Sequence, residues 1–271
     1  NKLTLEETDH YLSTRRDQGF TVIYAMVLPG NVRRNKNRDQ ELPFAAISPT
    51  ELTPNEAYFK HIDCVIDRVA QSGIYMDIWP AWRGQLRIVK DPLDRNSPES
   101  IVMTPTNARK YGQFIGQRYK DRPGVVWGLG GDFTPENDLE MEIEEALAEG
   151  IKSSGAKQLM TYHPGGRAKS SSQKFHERPW LDFNMCQSGH NLDYPVWDVI
   201  EADRNRSPTK PVVEGESLYE KIQRPLWNKK PDTPFSTTYE VRRPIYAGLF
   251  AGGFGCTYGA NAVFQFYTPD G

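Results

Sequence analysis

Two carboxylates in this chain stand where they could work on one bond. Asp132 closes the apolar run Gly124–Leu129 through two further glycines, and Glu216 ends the segment Lys210–Glu216 (KPVVEGE), two residues after Glu214. Glycines let the backbone approach a ligand and leave the following Asp at the strand rim. Glycoside cleavage needs two carboxyl groups flanking the scissile bond, one of which protonates the leaving oxygen. Side chains two apart on a strand share a face, so Glu214 and Glu216 are alternatives for the second carboxylate. Blander roles compete with this. Asp132 could cap the next helix, and either Glu could pair with Arg242 or Arg243.

Other residues of suitable type follow the apolar runs. They are Trp79 and Trp82, Tyr162 and His163, Gln187 and His190, and Tyr258 and Asn261. Aromatic faces stack on sugar rings, while amides, imidazoles and carboxylates bind hydroxyls. Trp79 and Trp82 flank Pro80 beyond their run and are expected to wall a substrate site. Trp127, inside its run, is expected in the core. His10, His61 and His176 fall on helices or a loop and are read as structural. Ser170–Ser172 is a polar turn with no base beside it, and no nucleophile is expected there.

The elements that position these residues alternate between two textures. Thr4 followed by Glu7 reads as a capping box, opening a helix that runs to Gln18–Gly19. Phe20–Leu28 (FTVIYAMVL) is a continuous apolar run, as of a strand buried on both faces. Helices are predicted over 55–72, 105–120, 139–153, 194–203 and 240–250. Further strands are predicted over 74–78, 124–129, 158–162, 181–186, 211–213 and 255–258. Seven strands separated by helices or long crossovers imply a parallel sheet. The open doubly wound alternative would want a Gly-rich phosphate loop after an early strand, and none is present. The fold expected is therefore a (β/α)8 TIM-type barrel forming a single catalytic domain over 1–271. Eight strands are needed for closure, and the chain opens on a helix. The first strand and the C-terminal helix are thus expected to be missing, the chain being a fragment. The polar stretches 31–40 and 225–238 read as rim loops.

Composition narrows the partner. The 271 residues are 38% hydrophobic and 25% charged, enough for a real core. Lys and Arg number 33 against 35 Asp and Glu, a net charge of -2 that gives no case for nucleic acid. No apolar run approaches the roughly 20 residues of a membrane helix. Cys64, Cys186 and Cys256 are too scattered for a disulfide framework or a zinc motif; Cys64 and Cys186 read as buried thiols. With no Cys/His/carboxylate set at metal-ligand spacing, neither metal nor cofactor is expected. The partner expected from composition is neutral or small, and the aromatics, amides and carboxylates after the strands point to an oligosaccharide or polysaccharide.

At these residues the chain resembles a known family, the apiosidase-like glycoside hydrolases, whose catalytic domain sits beside a putative collagen-binding domain. The resemblance runs through Gly19–Leu28 (GFTVIYAMVL), Asn107–Gly112 (NARKYG), Arg118–Pro123 (RYKDRP) and Trp127–Asp132 (WGLGGD). It continues through Thr161–Gly166 (TYHPGG), Trp180–Met185 (WLDFNM), Gln187–His190 (QSGH), Lys210–Glu216 and Thr257–Gly259 (TYG). What it implies is a retaining hydrolase with Asp132 as acid/base after the fourth strand and Glu216 as nucleophile ending the seventh. It further implies an exo-acting enzyme that releases the branched pentose apiose from pectic side chains, in a secreted, periplasmic or cell-surface bacterial setting. This chain departs from the family in lacking its first strand with the rim Gly-Asp. It also has Ala260 where His is usual and Phe264 where Trp is usual. A reading from another class, a non-catalytic carbohydrate- or matrix-binding module on the same fold, would be expected to lose one carboxylate. Both are kept.

Overall fold

The computed structural model describes residues 2–28, 32, 35–82, 103–166, 169–190, 193–223 and 233–265. Most of the 225–238 stretch, and part of 31–40, lie outside these. Two compact units are distinguished, one formed by 1–131 with 135–160 and the other by 132–134 with 161–271.

In the first unit, helix α1 (Leu5–Asp17) starts at Thr4 with both capping-box bonds made. Strand β1 (Val22–Met26) follows. An antiparallel hairpin, β2 (Phe44–Ser48) and β3 (Glu51–Pro54), precedes α2 (Glu56–Gln71). Then come β4 (Tyr75–Trp79), α3 (Pro105–Tyr119), β5 (Val125–Gly130) and α4 (Asp138–Ser153). The strands pair in parallel in the order β1-β4-β5. Strand ends are fixed from behind: buried Tyr58 donates to the Val27 carbonyl (2.6 Å) and Tyr111 to that of Pro80 (2.8 Å). Helices α3 and α4 touch through glycine. A Cβ on Gly112 would lie 2.5 Å from the Leu147 carbonyl oxygen, and one on Gly150 2.5 Å from that of Arg109.

Two expectations are corrected here. The run 20–28 does form a strand, but not one buried on both faces: Val22 is 40% and Met26 47% exposed. They sit four apart and so share a face, and β1 is the end strand of its order. Hydrophobic run length cannot tell an end strand from a central one. Cys64 is half-buried rather than buried. The hairpin, turning between Ser48 and Glu51 through Pro49, is an element the alternation of strands and helices does not anticipate.

The second unit is reached through β6 (Met160–His163). It contains β7 (Lys169–Ser170), the short helix α5 (Ser172–Phe175), β8 (Asn184–Gln187), α6 (Val196–Arg204), β9 (Val212–Glu214), α7 (Thr238–Phe250), β10 (Gly255–Cys256) and α8 (Asn261–Phe264). Strands β8, β9 and β10 are parallel neighbours, and β7 runs antiparallel on β8. Its apolar centre includes Cys186, Val196, Ile200 and Val212. The Ser170–Ser172 stretch, expected as a polar turn, instead joins the end of β7 to the start of α5, and Ser170 and Ser172 both donate their hydroxyls to the buried carboxylate of Asp203.

Candidate active site

The second unit brings Asp132, His163, Gln187, His190 and Glu216 together. Three successive residues, Gly130, Gly131 and Asp132, take positive φ angles of 81°, 103° and 50°. Glycine adopts these freely and Asp is among the few other residues that tolerate them. This left-handed run ends β5 and turns Asp132 toward the ends of the following strands. Asp132 is not a helix cap. Asn137 caps α4, accepting from the Glu140 N–H at 3.0 Å.

Strand parity then sorts the neighbours. On β6, His163 faces the carboxylates, whereas Tyr162 packs its ring 4.3 Å from Phe175 and is 1% exposed. On β8, Gln187 donates from Nε2 to Asp132 at 2.6 Å, while the Cys186 thiol donates to Glu214. Alternate residues of a strand leave on opposite faces, so Tyr162 and His163 could not both line the site.

Glu216 is 6% exposed and is held by two imidazoles, His163 Nε2 at 3.2 Å and His190 Nε2 at 3.3 Å. Its parity with Glu214 fails because regular strand ends at Glu214, and Gly215 packs closely on Met185. A Cβ on Gly215 would lie 2.4 Å from the Met185 side chain. Glu214 takes the other face, its Cβ against Gly248 of α7, and is wholly buried. The expectation that Glu214 binds substrate on the same face is therefore corrected.

The electrostatics separate the two carboxylates. Burial lifts Asp132 above its ordinary 3.8, and the charge of Glu216 adds to the rise; His163 and the Gln187 bond oppose it. Burial would also lift Glu216, but the hydrogen bonds from His163 and then His190 outweigh it and hold the carboxyl at about 2. Burial would lower His163, yet its bond to Glu216 prevails and raises it above 6.5. As an imidazolium, His163 donates from Nε2 to Glu216 and from Nδ1 to the Pro164 carbonyl (3.0 Å). In the neutral Nε2–H tautomer, Nδ1 instead accepts the Asp132 N–H at 3.3 Å. One carboxyl thus keeps its proton longer than usual and the other gives it up early, the division of labour an acid and a nucleophile need.

This separation makes a stability prediction. A raised folded-state value means Asp132 favours folding when protonated, below its ordinary 3.8, and opposes it once ionised. Asp132→Asn is therefore expected to raise Tm at pH 7 and to change it little at pH 3. Glu216 has the opposite sign, its contribution being present above its ordinary 4.5 and lost as pH falls toward about 2. Thermal melts of both proteins at the two pH values decide it; a lower Tm for the variant at pH 7 would contradict it.

The remaining expected residues are placed as follows. Tyr258 donates its hydroxyl to Glu220, and Asn261 opens α8 with its side chain accepting from Gln265 at 2.8 Å. Trp79 and Trp82 belong to the first unit, their rings 5.3 Å apart, with Trp79 fully buried rather than walling an open surface. One contributor was missed. The Tyr219 ring meets His190 edge-on at 4.6 Å, and a Cβ on Gly259 would come within 2.2 Å of that ring. No local signal marks Tyr219, since its contact with His190 joins two separate segments. The expectation that no compact set of metal-binding residue types exists is also corrected. Asp132, His163 and Glu216 each offer a donor atom within 4.8 Å of the others. Here those groups are engaged as a histidine–carboxylate pair beside a second carboxylate.

The sequence profile described as "Apiosidase-like, catalytic domain" matches residues 1–271. Among solved structures, one described as a glycoside hydrolase is 31% identical, with a TM-score of 0.84, over 99% of this chain and 60% of its own. A glycoside hydrolase family 5 protein from Bacteroides vulgatus is 32% identical, with a TM-score of 0.82, over 99% of this chain and 58% of its own. This chain thus spans about three-fifths of those two proteins. An endo-beta-1,4-mannanase from Thermotoga petrophila, 14% identical with a TM-score of 0.65 over 96% of this chain and 66% of its own, shares the fold alone. A search of curated proteins finds no match. The fold class is the α/β TIM-type barrel that the alternation of strands and helices implies.

Proposed function

Since this chain belongs to the apiosidase-like glycoside hydrolases, we propose that it is a retaining exo-glycosidase acting on pectic polysaccharide of plant cell walls, outside the bacterial cytoplasm. Asp132 is the general acid/base and Glu216 the nucleophile. The observation that carries this is the opposed tuning of two close carboxylates. Oxygens of Asp132 and Glu216 lie within 4.8 Å of each other. Retaining enzymes hold the pair about 5–5.5 Å apart, whereas inverting ones need roughly 6.5–9.5 Å to admit a water.

In the first step a Glu216 oxygen attacks the anomeric carbon. The glycosidic C–O bond breaks, and the Asp132 proton passes to the leaving oxygen. In the second, Asp132 takes a proton from water, the hydroxide adds to the same carbon, and Glu216 is released. His163 and His190 keep Glu216 ionised until attack, and Gln187 orients Asp132. The buried setting strengthens each of these interactions.

The experiment is a panel of pectic oligosaccharides followed by proton NMR from the first turnovers. The expected result is release of a single terminal sugar, apiose among those tested, first seen with the anomeric configuration of the substrate. Appearance of the opposite anomer first, or of internal fragments, would refute retention or exo action respectively.

A further inference from the structure

Behind the two carboxylates lies a third that the proposed reaction does not use. Glu214 is wholly buried, and both its oxygens are engaged. Oε1 accepts the Ser188 main-chain N–H and the Ser188 hydroxyl, each at 3.1 Å, and Oε2 accepts the Cys186 thiol at 3.2 Å. Cys186 and Glu214 are register partners on β8 and β9, the last such pair before both strands end. Beyond it Ser188 finds a carboxylate, while main-chain bonds run from the Gly215 N–H to the Cys186 carbonyl and from the Gly189 N–H to the Glu216 carbonyl, each at 2.8 Å. Gly189, at φ 71°, makes the turn that follows.

We infer that Glu214 is a positioning residue, gripping the Gln187–His190 turn from behind so that Gln187 stays on Asp132 and His190 on Glu216. This rests on the assignment of Asp132 and Glu216 above. The reasoning is geometric. Gln187 and His190 flank Ser188–Gly189, and each makes one contact to a different carboxylate. Gln187 is paired with Lys169 of β7, but past it the turn would be held by the Gly189 bond and could pivot about it; the two Ser188 bonds remove that freedom. A buried acid also exceeds what fold stability asks of this position. Burial raises its pKa, opposed by the Ser188 and Cys186 donors, and an apolar side chain would avoid that desolvation.

The test uses Glu214→Ala, with Glu214→Gln as the conservative variant able to keep the Ser188 bonds. Displacing a catalytic group by about 1 Å can lower turnover about 10²-fold, so Glu214→Ala should lose about that much in kcat with a smaller change in KM. The alkaline limb of kcat/KM reports the free enzyme's acid. Because the Gln187 bond holds Asp132 down, Gln187→Ala moves that limb to higher pH. Glu214→Ala should move it the same way, and the double variant no further. Glu214→Gln should recover most of the rate. Independently of activity, the Gln187 side-chain amide protons, one of them on Asp132, should lose their separation in Glu214→Ala.

A Glu214→Ala protein with lowered Tm but an unmoved limb and unchanged Gln187 amide signals would make the residue merely structural and overturn the inference. If that variant does not fold, Ser188→Ala, which removes one of the two bonds, must show a smaller shift in the same direction; an unmoved limb overturns it equally. Asp132→Asn separates the two readings. If it leaves turnover intact, the catalytic assignment fails and this inference with it. If it abolishes turnover while Glu214→Ala shifts nothing, only the role of Glu214 fails.

Discussion

Glu216→Gln is expected to lower turnover by at least about 10³-fold on any glycoside the protein cleaves, about 4 kcal/mol of barrier. The amide is nearly isosteric, and its one carbonyl oxygen can still accept from one of the two imidazoles, so the fold should survive. What it lacks is the carboxylate oxygen that forms the covalent bond. Asp132→Ala is the diagnostic companion. Loss of a general acid commonly costs about 10²–10⁴-fold, but only where the leaving group needs its proton. On an aryl glycoside with an acidic phenol, bond breaking should recover toward wild type, and the glycosyl-enzyme should then accumulate because no base activates water. A burst of phenol followed by a slow steady state is the expected trace. If both variants lose the same factor on both substrate types, the assignment of acid and nucleophile is wrong. If Glu214→Gln abolished turnover while Glu216→Gln kept it, the nucleophile would be Glu214.

Gly131→Ala should be the most destabilising single-methyl change near the site. Its φ of 103° is hostile to any side chain, and an added Cβ would stand 2.3 Å from the Trp82 ring. The left-handed conformation costs roughly 1–2 kcal/mol for a non-glycine residue, and overpacking typically adds about 1–3 kcal/mol. A combined loss of about 2–5 kcal/mol corresponds to a fall in Tm of roughly 10 °C for a chain of this size. Gly155→Ala is the control, because Gly155 has φ 89° but nothing within 4 Å of its added Cβ. It should lose only the conformational part, about 1–2 kcal/mol. Combining Gly131→Ala with Trp82→Ala should relieve the steric part, giving a non-additive cycle. Equal Tm losses for Gly131→Ala and Gly155→Ala would show that the contact with Trp82 has no energetic weight.

How much of this was legible follows from which forces are local. The capping box at Thr4 and Glu7, the apolar runs of the strands and the apolar periodicity of the helices act within a few residues. They fixed element type and order before any contact was known. The same holds for Asp132, because Leu129-Gly130-Gly131-Asp132 is a local device: an apolar strand, glycines free to take positive φ, then an acid. Family resemblance supplied Glu216 over Glu214, a choice strand parity could not make.

What only the tertiary structure decided was where each strand stops and what lies opposite it. Parity is valid while regular strand lasts. It correctly divides Tyr162 from His163 and Gln187 from Cys186, but it breaks after Glu214, where β9 ends. Sequence cannot show that ending, since Val212 to Glu216 reads as one run and main-chain bonds continue past it, from Gly215 to Cys186 and from Gly189 to Glu216. The same non-locality hid the exposure of Val22 and Met26, the ring of Tyr219 against His190, and the Ser188 bonds of Glu214. A pKa is the extreme case. Asp132 and Glu216 are the same kind of group in the sequence. One is raised and the other lowered because burial and the charge of Glu216 outweigh what opposes them at the first, while two histidines from other segments converge on the second.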